Sequence, residues 1–298
     1  MGVFLRGLAM GAADVVPGVS GGTIALITGI YERLLTAIVS ADAEALSLLI
    51  RGRWQTLWFR VDGSFLTVLM AGILSAIFSL ASAIHWLLSH YPQPLWSFFG
   101  GLILVSGAFL VRDEVNLLRI NRLIVFALGV SLAVAVALLA PASFIPGLPG
   151  YFFAGAIAIC AMILPGISGS FILVLLGMYG AVLDAVRTLQ LAELSVFAAG
   201  CALGLLTFSR VLQIALARAR PAAMAFLGGV LMGSLLAVWP WKTAVLTATE
   251  TGVIELMRPV LPSHSSVADP QLMLCAAAGV LGCLLVWALR HLAGKGRY

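Results

Sequence analysis

Six apolar stretches, near 65–89, 93–111, 123–140, 195–217, 222–239 and 272–289, are each long enough to cross about 30 Å of hydrocarbon at about 1.5 Å per helical residue. Nothing else in the sequence constrains the fold as strongly. Hydrocarbon offers no water to an unpaired N–H or C=O, so a spanning segment must satisfy its own backbone, as a helix does. The chain of 298 residues is 62% hydrophobic and only 10% charged, which removes a soluble globular domain from consideration. The sequence predicts an all-α polytopic membrane protein.

The chain also repeats itself. At a shift of 148, Pro17, Gly18, Ser20, Gly21, Ile24, Gly29, Tyr31, Leu35 and Ala37 meet Pro165, Gly166, Ser168, Gly169, Ile172, Gly177, Tyr179, Leu183 and Ala185, nine identities in 21 positions. Several are glycine, proline or serine, so shared hydrophobicity does not explain them. At a shift of 128, Gly72, Phe98, Gly100, Gly101 and Ser106 meet Gly200, Phe226, Gly228, Gly229 and Ser234. The difference of 20 residues falls in the first half's connection around RGRWQTLWFR. Two homologous halves are expected, 1–150 and 151–298. Each holds a broken motif, at 10–38 and 152–186, followed by three spans. The paired glycines Gly100-Gly101 and Gly228-Gly229 suit close helix packing, within one chain or between chains.

If each motif enters and leaves on one side as a re-entrant hairpin, each half has an odd number of crossings and the repeat is inverted. One face then carries Arg6, Arg33, Arg51, Arg53, Arg60, Arg112, Arg119, Arg122, Arg218, Arg220, Arg290, Lys295 and Arg297, against Arg187, Lys242 and Arg258 on the other. Thirteen against three makes the first face cytoplasmic by the positive-inside rule, with both termini on it, in an inner (cytoplasmic) membrane protein. Full crossing by the motifs would instead put Arg6 and the 51–60 cluster on opposite sides. The net charge of +5 is absorbed by this bias, and no nucleic-acid partner is implied.

Irregular backbone at membrane depth survives only where protein or a water-filled cavity satisfies it. Pro17 and Pro165 remove a donor, Gly18 and Gly166 permit turn angles, and Ser20-Gly21-Gly22-Thr23 or Ser168-Gly169-Ser170 then opens a second half-helix. Each break presents a helix N-terminus with unpaired N–H groups, partial positive charge and nearby hydroxyls, which suits a phosphate or carboxylate. Two inverted copies would bring two such ends together near the midplane, as in secondary transporters. The plainer reading is that the glycines permit close packing and the serines cap helices.

Asp14 has no counterpart in the second copy, where Met162 stands. It is the candidate for proton coupling or for holding an arginine, and as a helix cap it would be unremarkable chemistry. Arg210, within the fourth span, either meets the substrate's anion or snorkels to the interface. Glu32 with Arg33 and Asp184 with Arg187 end the motif helices in charge pairs suited to interfacial anchoring. Cys160, Cys201, Cys275 and Cys283 lie in apolar segments without metal or disulfide spacing, and the four histidines are scattered. No metal or other cofactor is implied.

The stretch GLAMGAADVVPGVSGGTIALITGIYERLL, with its second copy ILPGISGSFILVLLGMYG, resembles a bacterial and archaeal polytopic membrane family formerly described only as a domain of unknown function, whose PopT-type members are implicated as undecaprenyl-phosphate translocases. The resemblance covers essentially the whole chain. It implies a flippase that supports cell-wall biogenesis by returning undecaprenyl phosphate from the outer to the cytoplasmic leaflet. It does not itself assign Ser20, Gly21, Gly22, Thr23, Ser168, Gly169, Ser170 or Arg210 as ligands. PGVSGGTIA is also similar, up to the serine, to the PG-x-S-R-S-x-x-T motif of integral-membrane undecaprenyl-diphosphate phosphatases. Gly21 replaces that motif's arginine, and no glutamate-rich partner motif accompanies it, so acid–base equipment for hydrolysis is lacking. A transporter or channel for a small anion would be served equally well by the same helix ends.

Overall fold

The computed structural model describes residues 2–16, 19–115, 117, 119–139, 147–249, 252–264 and 270–294. The first part of the chain forms α1 (Val3–Asp14), α2 (Gly21–Ile27), α3 (Tyr31–Val39), α4 (Ala43–Ile50), α5 (Trp54–Arg60), α6 (Gly63–His90), α7 (Pro92–Glu114) and α8 (Ile120–Leu138). The second part forms α9 (Leu148–Ile163), α10 (Gly169–Leu175), α11 (Tyr179–Arg187) and α12 (Leu191–Gly233), then β1 (Lys242–Thr249), β2 (Gly252–Pro259) and α13 (Leu272–Gly294).

Among the described residues, α6, α7, α8 and α12 are long and apolar enough to cross a membrane, and α9 and α13 carry shorter apolar runs. This is a polytopic helical membrane protein. α12 includes the stretch expected at 195–217 and most of that at 222–239, joined through Ala219 at φ −143° and ψ 51°. Pro221 supplies the cause, since it lacks an N–H and its ring crowds the preceding turn. The helix then stops at Gly233, and a single 3₁₀ turn covers Ser234–Leu236.

Two departures from the sequence expectation stand out. The connection after α12 is an antiparallel hairpin of β1 on β2, from Lys242 opposite Pro259 to Thr249 opposite Gly252, so the chain is not wholly α. The Val, Thr, Leu and Ile of these two runs are a legible strand signal once the segment is freed from the apolar spans. Each motif also bends twice. α2 and α3 meet at 117° and α10 and α11 at 112°, through Gly29 (φ +74°) and Gly177 (φ +65°), backbone angles that glycine adopts without strain.

Glycine contacts decide how the long helices pair. α1 lies on α6, where a side chain at Gly7 or Gly72 would run into the facing backbone, and α9 lies on the first limb of α12 through Gly155 and Gly200 in the same way. α7 lies on α13 through Gly101 and Gly282, and α8 lies on the second limb of α12 through Gly229 and Gly129. Gly101 and Gly229 therefore pack helices of one chain, with no neighbouring copy needed. Gly100 and Gly228 have ordinary room around them. The cysteines sit in these seams as free thiols, Cys160 donating to the Gly204 carbonyl and Cys201 to that of Gly155, both at 3.5 Å.

Candidate functional site

The break after α1 is closed by side chains. Ser20 is extended (φ −123°, ψ 133°), the conformation of an N-cap, and its Oγ accepts from the Gly22 N–H at 3.1 Å. The Ser20 carbonyl accepts from Thr23 at 2.9 Å. Asp14, the last residue of α1, turns its Oδ1 onto the Gly21 N–H at 2.6 Å. The first three donors of α2 are thus all engaged, and the charge facing that positive helix end is the protein's own carboxylate. Gly21 leaves room for it, because a β-carbon there would sit 2.5 Å from Asp14 Oδ2.

The same short helix is hydrogen-bonded into the second break. Ser20 Oγ donates to the Met162 carbonyl at 3.1 Å and Tyr31 Oη to that of Ile163 at 2.9 Å. These carbonyls belong to the last turn of α9, where helical partners run out. The Gly166 N–H in turn donates to Thr23 Oγ1 at 2.8 Å. Ser20 and Thr23 are buried, as are Pro165, Gly166 and Ser168. The structure therefore joins the two motifs that the sequence repeat singled out, across more than 130 residues of chain.

The second copy is arranged differently. Ser168 occupies the N-cap position of α10 (φ −94°, ψ 131°) but caps nothing, and its Oγ lies 2.8 Å from Ser170 Oγ. Among the described residues, nothing accepts from the N–H groups of Gly169 and Ser170. Gly166 is held at φ +88°, and a β-carbon there would come within 2.5 Å of Ser234 Oγ. A hollow of about 10 Å³ adjoins this end, lined by Gly166, Ile167, Ser168, Phe171 and Ser234 and by Ala133 of α8. That is room for roughly one water molecule, so a phosphate enters only if the surrounding helices part.

Pro17 and Gly18 lie outside the described residues. Arg210 is exposed on the first limb of α12, and among the described residues no hydrogen bond or ion pair ties it to either motif. The larger cavity, about 240 Å³, is elsewhere, between α3 and α12, lined by Glu32, Leu35, Thr36, Gln213, Leu216, Ala217 and Arg220. At its rim Glu32 pairs with Arg220 at 2.6 Å, while Arg33 pairs with Asp62 at 2.6 Å. Both lie in the first turn of α3, and adjacent residues on a helix point about 100° apart, so each finds its own partner rather than forming the local pair expected of them. Sequence reading missed Tyr31 as a contact residue, although its recurrence as Tyr179 was visible. It did offer Asp14 as a helix cap, and the contact with the first N–H of α2 has that form.

A family model described as undecaprenyl phosphate translocase-like matches residues 10–254. The chain belongs to the undecaprenyl phosphate translocase-like family. A Vibrio cholerae protein named polyprenyl-phosphate transporter is 43% identical over 294 residues, covering 95% of both chains. A Staphylococcus aureus protein of the same name is 33% identical over 254 residues, covering 79% of this chain and 85% of the relative. No solved structure matches the chain. The matched span contains both broken motifs.

Proposed function

We propose that the protein returns polyprenyl phosphate, with undecaprenyl phosphate as its lipid, from the outer to the cytoplasmic leaflet of the inner membrane. The observation that carries this reading is the junction of the two broken motifs, supported by two extensively matched relatives named as polyprenyl-phosphate transporters. A polyprenyl tail is stable in hydrocarbon at roughly 0.8 kcal/mol per buried methylene, so it gains nothing by entering the protein. Only the phosphate needs shelter. The two halves, 1–150 and 151–298, act as an inverted pair that rocks about the junction, and the glycine contacts recurring at repeat-related positions support that division. Both termini face the cytoplasm on this reading.

Within the junction, the N–H groups of Gly169 and Ser170 with the hydroxyls of Ser168 and Ser170 form the readier phosphate cradle. Ser20, Gly21, Gly22 and Thr23 complete it only when their present partners let go. Asp14 holds the place of an anion at the first helix end, and protonation of its carboxylate would release the Gly21 N–H to a phosphate. A proton thereby becomes the coupling ion. Asp14→Asn is expected to flatten the pH dependence of transport, and a profile superimposable on wild type removes Asp14 from coupling. Arg210 acts outside the cradle, at the lipid-facing approach to it. Translocation rather than hydrolysis fits a motif in which Gly21 stands where the related phosphatase motif has arginine.

The deciding experiment follows leaflet-resolved movement of undecaprenyl phosphate in proteoliposomes containing the purified protein, with inorganic phosphate uptake measured in parallel. Lipid movement without phosphate uptake is the expected result. Phosphate uptake without lipid movement would make the junction a site for a soluble anion.

A further inference from the structure

The connection from α3 to α6 is unlike its counterpart from α11 to α12. Only Thr188, Leu189 and Gln190 join the latter pair, whereas residues 40–62 fold into α4 and α5. At about 1.5 Å per residue, helices of eight and seven residues span roughly 12 and 10 Å, far short of a bilayer.

This insertion is a built element. Asp42 caps α4, its Oδ1 accepting from Glu44 at 3.1 Å and Ala45 at 3.0 Å. Arg60, at the end of α5, reaches back to Asp42 at 2.8 Å and Glu44 at 2.9 Å, closing the hairpin. The Ala45 N–H and the Arg60 guanidinium hold the Asp42 carboxyl below its ordinary pKa. Gly52, at φ +67°, turns the chain between the helices. Trp58 Nε1 donates to Ser64 Oγ at 3.1 Å, and Asp62 pairs with Arg33, so the hairpin is also fixed to α6 and α3.

Large apolar side chains are exposed on it. Ile50 is 77% exposed, Trp54 65% and Phe59 83%. Arg51 and Arg53 lie exposed at the turn between the helices, and among the described residues neither pairs with an acidic side chain. α5 passes within two residues into α6, a helix able to cross the membrane, which places the hairpin at the bilayer boundary. Large apolar side chains beside unpaired arginines, at that depth, match the acyl and anionic headgroup layers together.

We propose that α4 and α5 form an interfacial hairpin that rests on one membrane leaflet, inserting Ile50, Trp54 and Phe59 below the headgroups and binding anionic lipid headgroups through Arg51 and Arg53. The proposal is independent of which headgroup the broken motifs carry. By the charge distribution the leaflet is the cytoplasmic one, where each arginine strengthens attachment to an anionic surface by roughly fivefold.

The test uses the full chain with its four cysteines replaced, carrying Phe59→Cys with a nitroxide label and reconstituted in vesicles of phosphatidylglycerol and phosphatidylcholine or of phosphatidylcholine alone. Ile50→Cys serves as a second label site should the first disturb folding. The label is expected to be accessible to oxygen and shielded from a water-soluble nickel chelate in the anionic vesicles. Spin-labelled phosphatidylglycerol should be enriched near it, and Arg51→Gln with Arg53→Gln should lower that enrichment at least tenfold. A label open to the chelate in both vesicles overturns the proposal. Immersion that ignores lipid charge and both arginines overturns it too, as does shielding seen only in native membranes, which would mean a protein partner.

Discussion

In the first broken motif Ser20 caps its helix, Asp14 takes the Gly21 N–H and Tyr31 is buried at 2% exposure with its hydroxyl on Ile163. In the second, Ser168 caps nothing, Met162 stands in place of the aspartate and Tyr179 is 46% exposed. The glycine and serine framework is shared, but among the described residues the first N–H groups of the short helix are engaged in the first copy, while those of Gly169 and Ser170 in the second are not. The first copy braces the second: among the described residues, each hydrogen bond between them runs between a side chain of the first motif and backbone at the end of α9 or in the break after it. On the proposed inverted arrangement, a transporter caught facing one side must be tight at one copy and loose at the other, and exchanging those roles is what would carry the site across.

This contrast can be broken most severely at Gly21. Gly21→Ala drives a β-carbon onto the Asp14 carboxylate, so transport should be lost, whereas Gly169→Ala, whose added carbon meets Ala158 O at 3.0 Å, should retain most of it in the leaflet assay. Equal loss in both would mean that the copies are equally constrained. Thr23→Val comes next, because it leaves the buried Gly166 N–H without its acceptor. An unsatisfied buried donor costs about 1–3 kcal/mol, which should appear as a lowered thermal midpoint in detergent.

Ser20→Ala should lower stability by about 0.5–2 kcal/mol through its lost cap. Ser168→Ala should leave the melting curve in place and reduce transport, and the reverse pattern would exchange the roles given to the two serines. The mildest change is Tyr31→Phe, expected to cost about 1 kcal/mol, with Tyr179→Phe indistinguishable from wild type in the same melt.

Much of this architecture could be read from residue order alone. The helix starts at Gly21 and Gly169 follow from proline and glycine preceding a capping residue, and the seams at Gly101 and Gly229 follow from glycine placement in long apolar runs. Which helix each glycine faces did not follow, because Gly101 meets Gly279 from far along the chain. The bends at Gly29 and Gly177 were present as repeat identities, but a positive φ leaves no trace in composition. Asp14 illustrates the deeper limit. Its lack of a repeat partner marked it as unusual, yet whether it faces a proton path, an arginine or a helix end depends on the return path of the chain between 15 and 20. Glu32 with Arg220 is the same problem over a longer distance, and no local spacing rule reaches it.

The pairing of α7 with α13 bears on how the protein is made. About 160 residues are synthesised between the end of one helix and the start of the other, which at roughly 5–20 residues per second is about ten to thirty seconds. Throughout that interval the Gly101 seam faces lipid or the insertion machinery with nothing to match its missing side chain. α8 waits in the same way for the second limb of α12. Assembly cannot close from the N-terminus onward, and a ribosome stalled late in synthesis leaves behind α7 and α8 with open grooves for quality-control proteases to find.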